Sequence, residues 1–245
     1  KMATTAYPTR EAGQVVWIYM GPEDKLPELP AMEWTELPDD QVNVTRWLQC
    51  SNWAQGMEGE IDSSHIGFLH AAEKDEYKLP RPFSAYLPDV DGGPPEFTLN
   101  ETDYGFVYGA RRRMKTDDEY FWRATQWMAP MYSLIANQDY PRAGRAWVPV
   151  DDEHTWVYRI TYNPWRPITE KEKYEFDNAG LMPFSVQNIE GSYLPLRNKR
   201  NDYLIDRQLQ RHYSYTGIKG NNAQDAAILE GQGPTPIYDR TKEFL

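Results

Sequence analysis

The sequence has little cysteine and a shortage of positive charge. Cys50 is the one cysteine, so no intrachain disulfide can form, which fits a reducing compartment. Lysine and arginine number 26 against 37 aspartate and glutamate residues, which gives a formal net charge of −11. Because a negative surface repels phosphate, neither a nucleic acid nor an anionic membrane is expected as the main partner.

Long apolar runs are also missing. No segment approaches the roughly 20 consecutive apolar residues that a membrane helix needs. The first residues, Lys1 to Thr5, lack the charged and then apolar order of a signal peptide. Both absences favour a cytoplasmic protein.

Aromatic residues are abundant, with 9 Trp, 17 Tyr and 8 Phe. They are typical of β-rich cores, and would alternatively line a pocket for a flat organic substrate.

Strand patterns fill the middle of the chain. Strands are predicted at residues 15–20, 42–49, 97–101, 106–114, 121–130, 131–137, 145–150 and 156–162. Polar turns at 102–105 and 151–154 join neighbours as antiparallel hairpins. Helices are predicted at 168–178, with Thr169 as the N-cap, and at 201–211 and 222–230. The run 50–72 is largely compatible with helix, and residues 78–95 are predicted to form a long loop. This order predicts an α+β fold, in which a curved antiparallel sheet holds helices against its concave face.

Two of the four histidines in the chain lie close together. His65 and His70 are five residues apart, and neutral imidazole is a common ligand of iron, zinc and copper. In a regular helix two such residues point about 140° apart, so both rings reach one metal only if the helix widens or ends between them. Gly67 lies between them, where such an irregularity costs least. Alternatively, the two histidines are unrelated and each is satisfied by a backbone partner.

Carboxylates near and far from this pair would complete a metal site. Asp62 precedes His65 by three residues and can orient a ligating ring. One further carboxylate would give the two-histidine, one-carboxylate arrangement of non-haem Fe(II) oxygenases, which leaves positions open for dioxygen. Asp202, Asp206 and Asp225 all lie on predicted helices late in the chain, and spacing alone does not choose among them.

The run 52–65, followed by His70, resembles the iron-binding segment of Rieske non-haem iron oxygenases. It is most similar to the phthalate dioxygenase branch of ring hydroxylases and O-demethylases. The resemblance implies that His65 and His70 bind a mononuclear Fe(II), and that Asp62 bridges toward the Rieske cluster of an adjacent subunit. Residues 222–230 resemble the helix that carries the third ligand in this family, which implies Asp225. The fold implied is the helix-grip, Bet v 1-like catalytic domain.

One departure from the family concerns its iron–sulfur cluster. A Rieske [2Fe–2S] cluster is held by two cysteines and two histidines, which a chain with one cysteine cannot supply. Residues 7–22 resemble the passage that follows the Rieske domain. The expected organisation is therefore one catalytic domain over residues 1–245, truncated at both ends, with residues 1–21 as the connection from a Rieske domain outside this chain.

The resemblance also implies a reaction and its partners. The expected activity is hydroxylation or O-demethylation of an aromatic substrate with O2 at Fe(II). Electrons would come from the Rieske cluster of a neighbouring subunit, fed by NADH through a reductase or ferredoxin, in a homo-oligomer such as a trimer.

The substrate is weakly indicated by the sequence. An arginine of the strand 106–114 that faces the pocket would pair with the carboxylate of an aromatic acid. Arg111 and Arg113 share one face of this strand and Arg112 the other; Arg113 is the candidate, and a solvated strand face is the alternative. Ser63, beside the histidines, is a second candidate for substrate contact, and a role at a helix start or on the surface is the alternative.

Two functions of other classes remain open at this stage. A sheet that grips a helix also encloses an apolar ligand cavity, and such a binding module would hold no metal at the histidines. A metal-dependent hydrolase would instead use zinc to activate water.

Overall fold

The computed structural model of the chain describes residues 4–70, 90, 93–115, 119–135, 141–177 and 186–232. Its main element is a seven-stranded antiparallel sheet. A small hairpin precedes it, formed by β1 (Thr9–Ala12) and β2 (Val15–Ile18). The strands of the large sheet are β3 (Val42–Gln49), β4 (Glu96–Thr102), β5 (Gly105–Arg113), β6 (Tyr120–Met128), β7 (Tyr132–Ile135), β8 (Arg142–Pro149) and β9 (Thr155–Tyr162). Their order is β3-β9-β8-β7-β6-β5-β4. Hairpins therefore build most of the sheet, and only β3 joins from a distant part of the chain.

The predicted strands are confirmed, because alternating apolar residues and polar turns are local signals. The strand predicted at 42–49 coincides with β3, and each of the others overlaps an observed strand with shifted ends. Most of the predicted loop at 78–95 lies outside the described residues, as do residues 136 and 137 of the predicted strand 131–137. The predicted α+β class is confirmed.

Five α-helices accompany the sheet in the described residues: α1 (Trp53–Ile61), α2 (Ile66–Leu69), α3 (Glu170–Asp177), α4 (Arg207–His212) and α5 (Asn221–Gly231). The predicted cap of α3 is confirmed. The Glu172 backbone N–H donates to Thr169 Oγ1 at 3.2 Å, and the Thr169 N–H donates back to the Glu172 carboxylate at 2.9 Å. Within the described residues, no helix combines the length and apolar character that crossing a membrane requires.

The helix predicted at 201–211 is wrong in its first half. Residues Lys199–Leu204 form a 3-10 turn, in which Asp202, Tyr203 and Leu204 have φ angles of 47°, 54° and 52°. Such left-handed backbone is costly for residues other than glycine. Tertiary contacts hold it here, because the Tyr203 hydroxyl donates to the Glu230 carboxylate at 2.6 Å and the buried ring packs against Ile218.

Helix α1 packs closely against the sheet. A Cβ atom on Gly56 would lie 2.3 Å from the Trp147 ring, so only glycine allows this approach. Met57 joins Trp47, Trp147 and Val157 in one buried apolar cluster. This contact carries the end of α1, and the residues that follow it, over the middle of the sheet.

Candidate metal centre

The two histidines flank a single turn of helix. Helix α1 ends at Ile61, and the carboxylate of Asp62 then accepts the backbone N–H groups of Ser64 at 2.7 Å and His65 at 3.0 Å. His65 precedes α2 and His70 follows it. The helix does end between the two histidines, at Leu69, whereas Gly67 lies inside α2. The rings converge because both histidines lie at the ends of a very short helix.

Helix α5 brings Asp225 to these rings. Its Oδ1 atom lies 3.2 Å from Nε2 of His70 and 3.5 Å from Nε2 of His65. The two ring centroids are 5.1 Å apart, with planes inclined at 78°. One ligand atom from each of the three residues lies within 4.8 Å of the others. The structure thus brings together the three side chains that were expected to be ligands.

The outward nitrogen of each ring has an oxygen partner. Nδ1 of His65 lies 3.0 Å from the Asp62 carboxylate, and Nδ1 of His70 lies 2.6 Å from Oε1 of Gln224. Histidines that bind metals typically donate their other ring N–H to an oxygen in this way. Gln224 was missed at the sequence level, where its position beside Asp225 was the one available signal.

Electrostatics keep the two carboxylates of the site ionised. Burial alone would raise the pKa of Asp62, but hydrogen bonds from the His65 ring and two backbone N–H groups outweigh it and hold the pKa well below the ordinary range. Burial would likewise raise the pKa of Asp225, whereas the hydrogen bond from His70 and the two rings lower it. The pKa of His65 is raised, since Asp62 and Asp225 outweigh burial. Such a cluster favours any cation placed between the rings.

The rival carboxylates have other roles. Asp202 lies in the left-handed turn, and Asp206 caps α4 by accepting the N–H groups of Gln208 and Leu209, both at 2.9 Å. Two imidazoles and one carboxylate match the donor set of non-haem Fe(II) sites. The residues therefore fit a ferrous ion, although the same donor set also serves catalytic zinc.

A cavity of about 60 Å³ adjoins the three candidate ligands. Its lining includes Arg123 of β6 and Arg145 of β8, which the sequence analysis did not single out. Arg123 Nη1 donates to Ser63 Oγ at 3.0 Å. Arg145 pairs with the buried Glu60 and donates to Asn222 Oδ1 at 2.6 Å.

The two residues predicted to contact substrate have different positions. Ser63 is fully buried, and its hydroxyl lies 3.2 Å from the Tyr108 hydroxyl in addition to its bond from Arg123. The prediction that Arg113 faces the pocket is wrong. Arg113 is exposed at the end of β5, while Arg112 is buried on the helix-facing side and donates to the Ser63 carbonyl oxygen.

Comparisons with known proteins agree along nearly the whole chain. Residues 18–245 match the family described as LigXa C-terminal domain like. The chain is 36% identical, over 98% of its length, to the 3-chlorobenzoate-3,4-dioxygenase oxygenase subunit of Comamonas testosteroni. It is 34% identical, over 100% of its length, to the phthalate 4,5-dioxygenase oxygenase subunit of Pseudomonas putida. The chain spans 57% and 56% of these two relatives.

A solved structure shows the same fold. The terminal oxygenase of carbazole 1,9a-dioxygenase from Novosphingobium sp. KA1 superposes with a TM-score of 0.50 at 15% sequence identity. The match covers 98% of this chain and 62% of that one. At this identity the likeness concerns the fold of the domain.

Proposed function

The chain belongs to the LigXa C-terminal domain-like family of Rieske-type oxygenase subunits, in the phthalate dioxygenase branch. We propose that it is the catalytic part of an oxygenase that hydroxylates or O-demethylates an aromatic acid. The convergence of His65 Nε2 and His70 Nε2 on Asp225 carries this proposal. These three side chains would hold Fe(II). When bound, Fe(II) supplies the reductive activation of O2.

The chain's own residues would fix the geometry of this reaction. Asp62 and Gln224 hold the outward nitrogens of the two rings, so that both Nε2 atoms face Asp225. The close packing of α1 on the sheet keeps this arrangement in place, and preorganised ligands need no rearrangement during turnover.

Asp62 is also suited to couple the site to an electron donor. Its side chain is 39% exposed while one oxygen contacts the ring of His65, so it joins the surface to a candidate ligand. We propose that it bridges to the Rieske [2Fe–2S] cluster of a neighbouring subunit in a homo-oligomer such as a trimer. The electrons would derive from NADH through a reductase or ferredoxin.

Arg123 replaces Arg113 as the candidate for recognising the substrate carboxylate. It lines the cavity beside the candidate ligands, and a partly buried guanidinium binds carboxylates strongly. The named substrates of the two relatives, 3-chlorobenzoate and phthalate, are aromatic acids, which supports this class. A cavity of about 60 Å³ is smaller than the roughly 150 Å³ that accepts benzene. The aromatic ring of the substrate would therefore extend beyond this cavity.

Metal analysis tests the site directly. Wild-type protein is expected to bind one Fe(II) per chain, whereas His65→Ala and Asp225→Ala lose it. His154→Ala is a matched control, since His154 also lies three residues after an aspartate that it contacts, at 2.9 Å, on the exposed surface. Equal iron occupancy in all four proteins would refute the proposal. Zinc in place of iron would instead favour a hydrolase.

An activity test can avoid the need for a Rieske cluster. Hydrogen peroxide supplies both the oxygen and the two electrons that the reaction consumes. Iron-loaded protein with peroxide is expected to hydroxylate a substituted benzoate, or to release formaldehyde from a methoxybenzoate. Arg123→Gln should raise KM for the acid but not for the corresponding amide. Tight binding of aromatic acids without any turnover would favour a binding module.

A further inference from the structure

Gln224 makes two hydrogen bonds that differ in kind. It is buried on α5, next to Asp225. Its Oε1 atom lies 2.6 Å from Nδ1 of His70, and its Nε2 atom donates to the backbone carbonyl of Ile218 at 2.8 Å. One side chain therefore connects a candidate ligand to the backbone of a neighbouring loop.

These bonds fix the position of a proton on the ring of His70. A backbone carbonyl can only accept, so the amide nitrogen of Gln224 must face Ile218 and the amide oxygen must face His70. An amide oxygen also only accepts, so Nδ1 of His70 must carry the hydrogen of this bond. A ring that binds a metal is neutral, so with the hydrogen on Nδ1 it offers the lone pair of Nε2, and Nε2 is the atom that lies 3.2 Å from Asp225 Oδ1.

We propose that Gln224 is a positioning residue, which holds His70 in the orientation and tautomer that bind a metal through Nε2. The inference rests on the proposed function, because it requires a metal at this site. Ile218, whose carbonyl anchors Gln224, is itself held in place, because it is buried against Tyr203. The Tyr203 hydroxyl in turn donates to Glu230, which lies on the same helix as Gln224.

The two histidines differ in the charge of their partners. His65 has the partly exposed carboxylate of Asp62, whereas His70 is 5% exposed and has the neutral amide of Gln224. A second carboxylate at the buried position would cost more desolvation energy than an amide does. The amide oxygen accepts a hydrogen bond from Nδ1–H without adding a buried charge.

Cobalt(II) is a suitable probe, because its visible absorption reports the number and geometry of its ligands. Affinity for Co(II) and Fe(II) is measured by competition with a chelator in wild type, Gln224→Leu and Gln224→Glu. Gln49→Leu is the matched control: Gln49 is also buried, and its hydrogen bonds join it to Ser51 and Trp47.

Gln224→Leu is expected to lower metal affinity by about 10- to 100-fold and to change the Co(II) spectrum. Gln224→Glu keeps an acceptor for the Nδ1 proton, so it should restore affinity and spectrum, although losing the donor to Ile218 should lower its melting temperature. Gln49→Leu should leave affinity unchanged. If the leucine variant does not fold, Gln224→Asn, one methylene too short for both partners, takes its place with the same expectation.

Two results separate failure of this inference from failure of the proposed function. If wild type binds neither metal, the proposed function fails. If wild type binds metal but Gln224→Leu binds it with equal affinity and an unchanged spectrum, the role of Gln224 is overturned while the metal site stands. Equal losses in the leucine and glutamate variants would also overturn it, because a retained acceptor would then make no difference.

Discussion

A buried ion pair beside the candidate metal centre should contribute strongly to stability. Glu60 of α1 and Arg145 of β8 are 6% and 14% exposed. Glu60 also accepts a hydrogen bond from Ser133 at 3.2 Å, and Arg145 donates to Asn222 of α5. The network therefore joins two helices to the sheet. Buried Arg159 lies near it, and its pKa is lowered by burial and by Arg145 but raised by Glu60.

Removing one partner leaves an uncompensated buried charge. Glu60→Met would leave Arg145 unpaired near a second buried guanidinium, and such changes cost about 3–5 kcal/mol. For a chain of this length that corresponds to a drop in Tm of about 6–20 °C. The double variant Glu60→Met/Arg145→Met removes both charges. Its remaining cost is the loss of hydrogen bonds to Ser133 and Asn222, about 2 kcal/mol in total.

Urea unfolding of the metal-free proteins measures these differences, because bound metal would add its own stabilisation. The exposed pair of Glu170 and Lys173 is the control: Glu170 is 90% exposed, and Glu170→Met should cost about 1 kcal/mol or less. A free energy of unfolding for Glu60→Met within about 1 kcal/mol of the wild-type value would refute the role of this ion pair. It is also refuted if the double variant is no more stable than the single one.

Three further predictions concern single residues. The ion pair with Arg166 lowers the pKa of Glu172 to about 2 from 4.5. The stabilisation from this pair is therefore present above about pH 4.5 and is lost as the pH falls toward 2. In Glu172→Gln the urea midpoint should depend less on pH across that window, and a pH dependence as steep as that of wild type would contradict this prediction. Gly56→Ala forces a Cβ atom against Trp147 and should cost about 1–3 kcal/mol. Gly67→Ala, where a Cβ meets nothing within 4 Å, should stabilise α2 by about 0.5–1 kcal/mol, and equal melting temperatures for the two alanine variants would contradict the packing argument.

The sequence by itself determined the features that depend on neighbouring residues. Alternating apolar positions placed the strands, and Thr169 marked the start of α3, because strand faces and helix caps form between residues close in the chain. The short spacing of Asp62, His65 and His70 likewise marked a site before any fold was known.

Only the tertiary structure decided which distant groups meet. The family resemblance implied Asp225, but spacing alone did not choose it over its rivals; it reaches the histidines because α5 packs near α1. Three consecutive arginines gave no indication of which face is buried. Arg112 is buried because its face of β5 contacts Ser63, in the segment after α1, whereas Arg113 lies on the opposite face and is exposed. The left-handed turn at Tyr203 exists because its buried partners outweigh local preference. Contacts between residues far apart in sequence, together with burial, set these outcomes, and both arise only when the chain is folded.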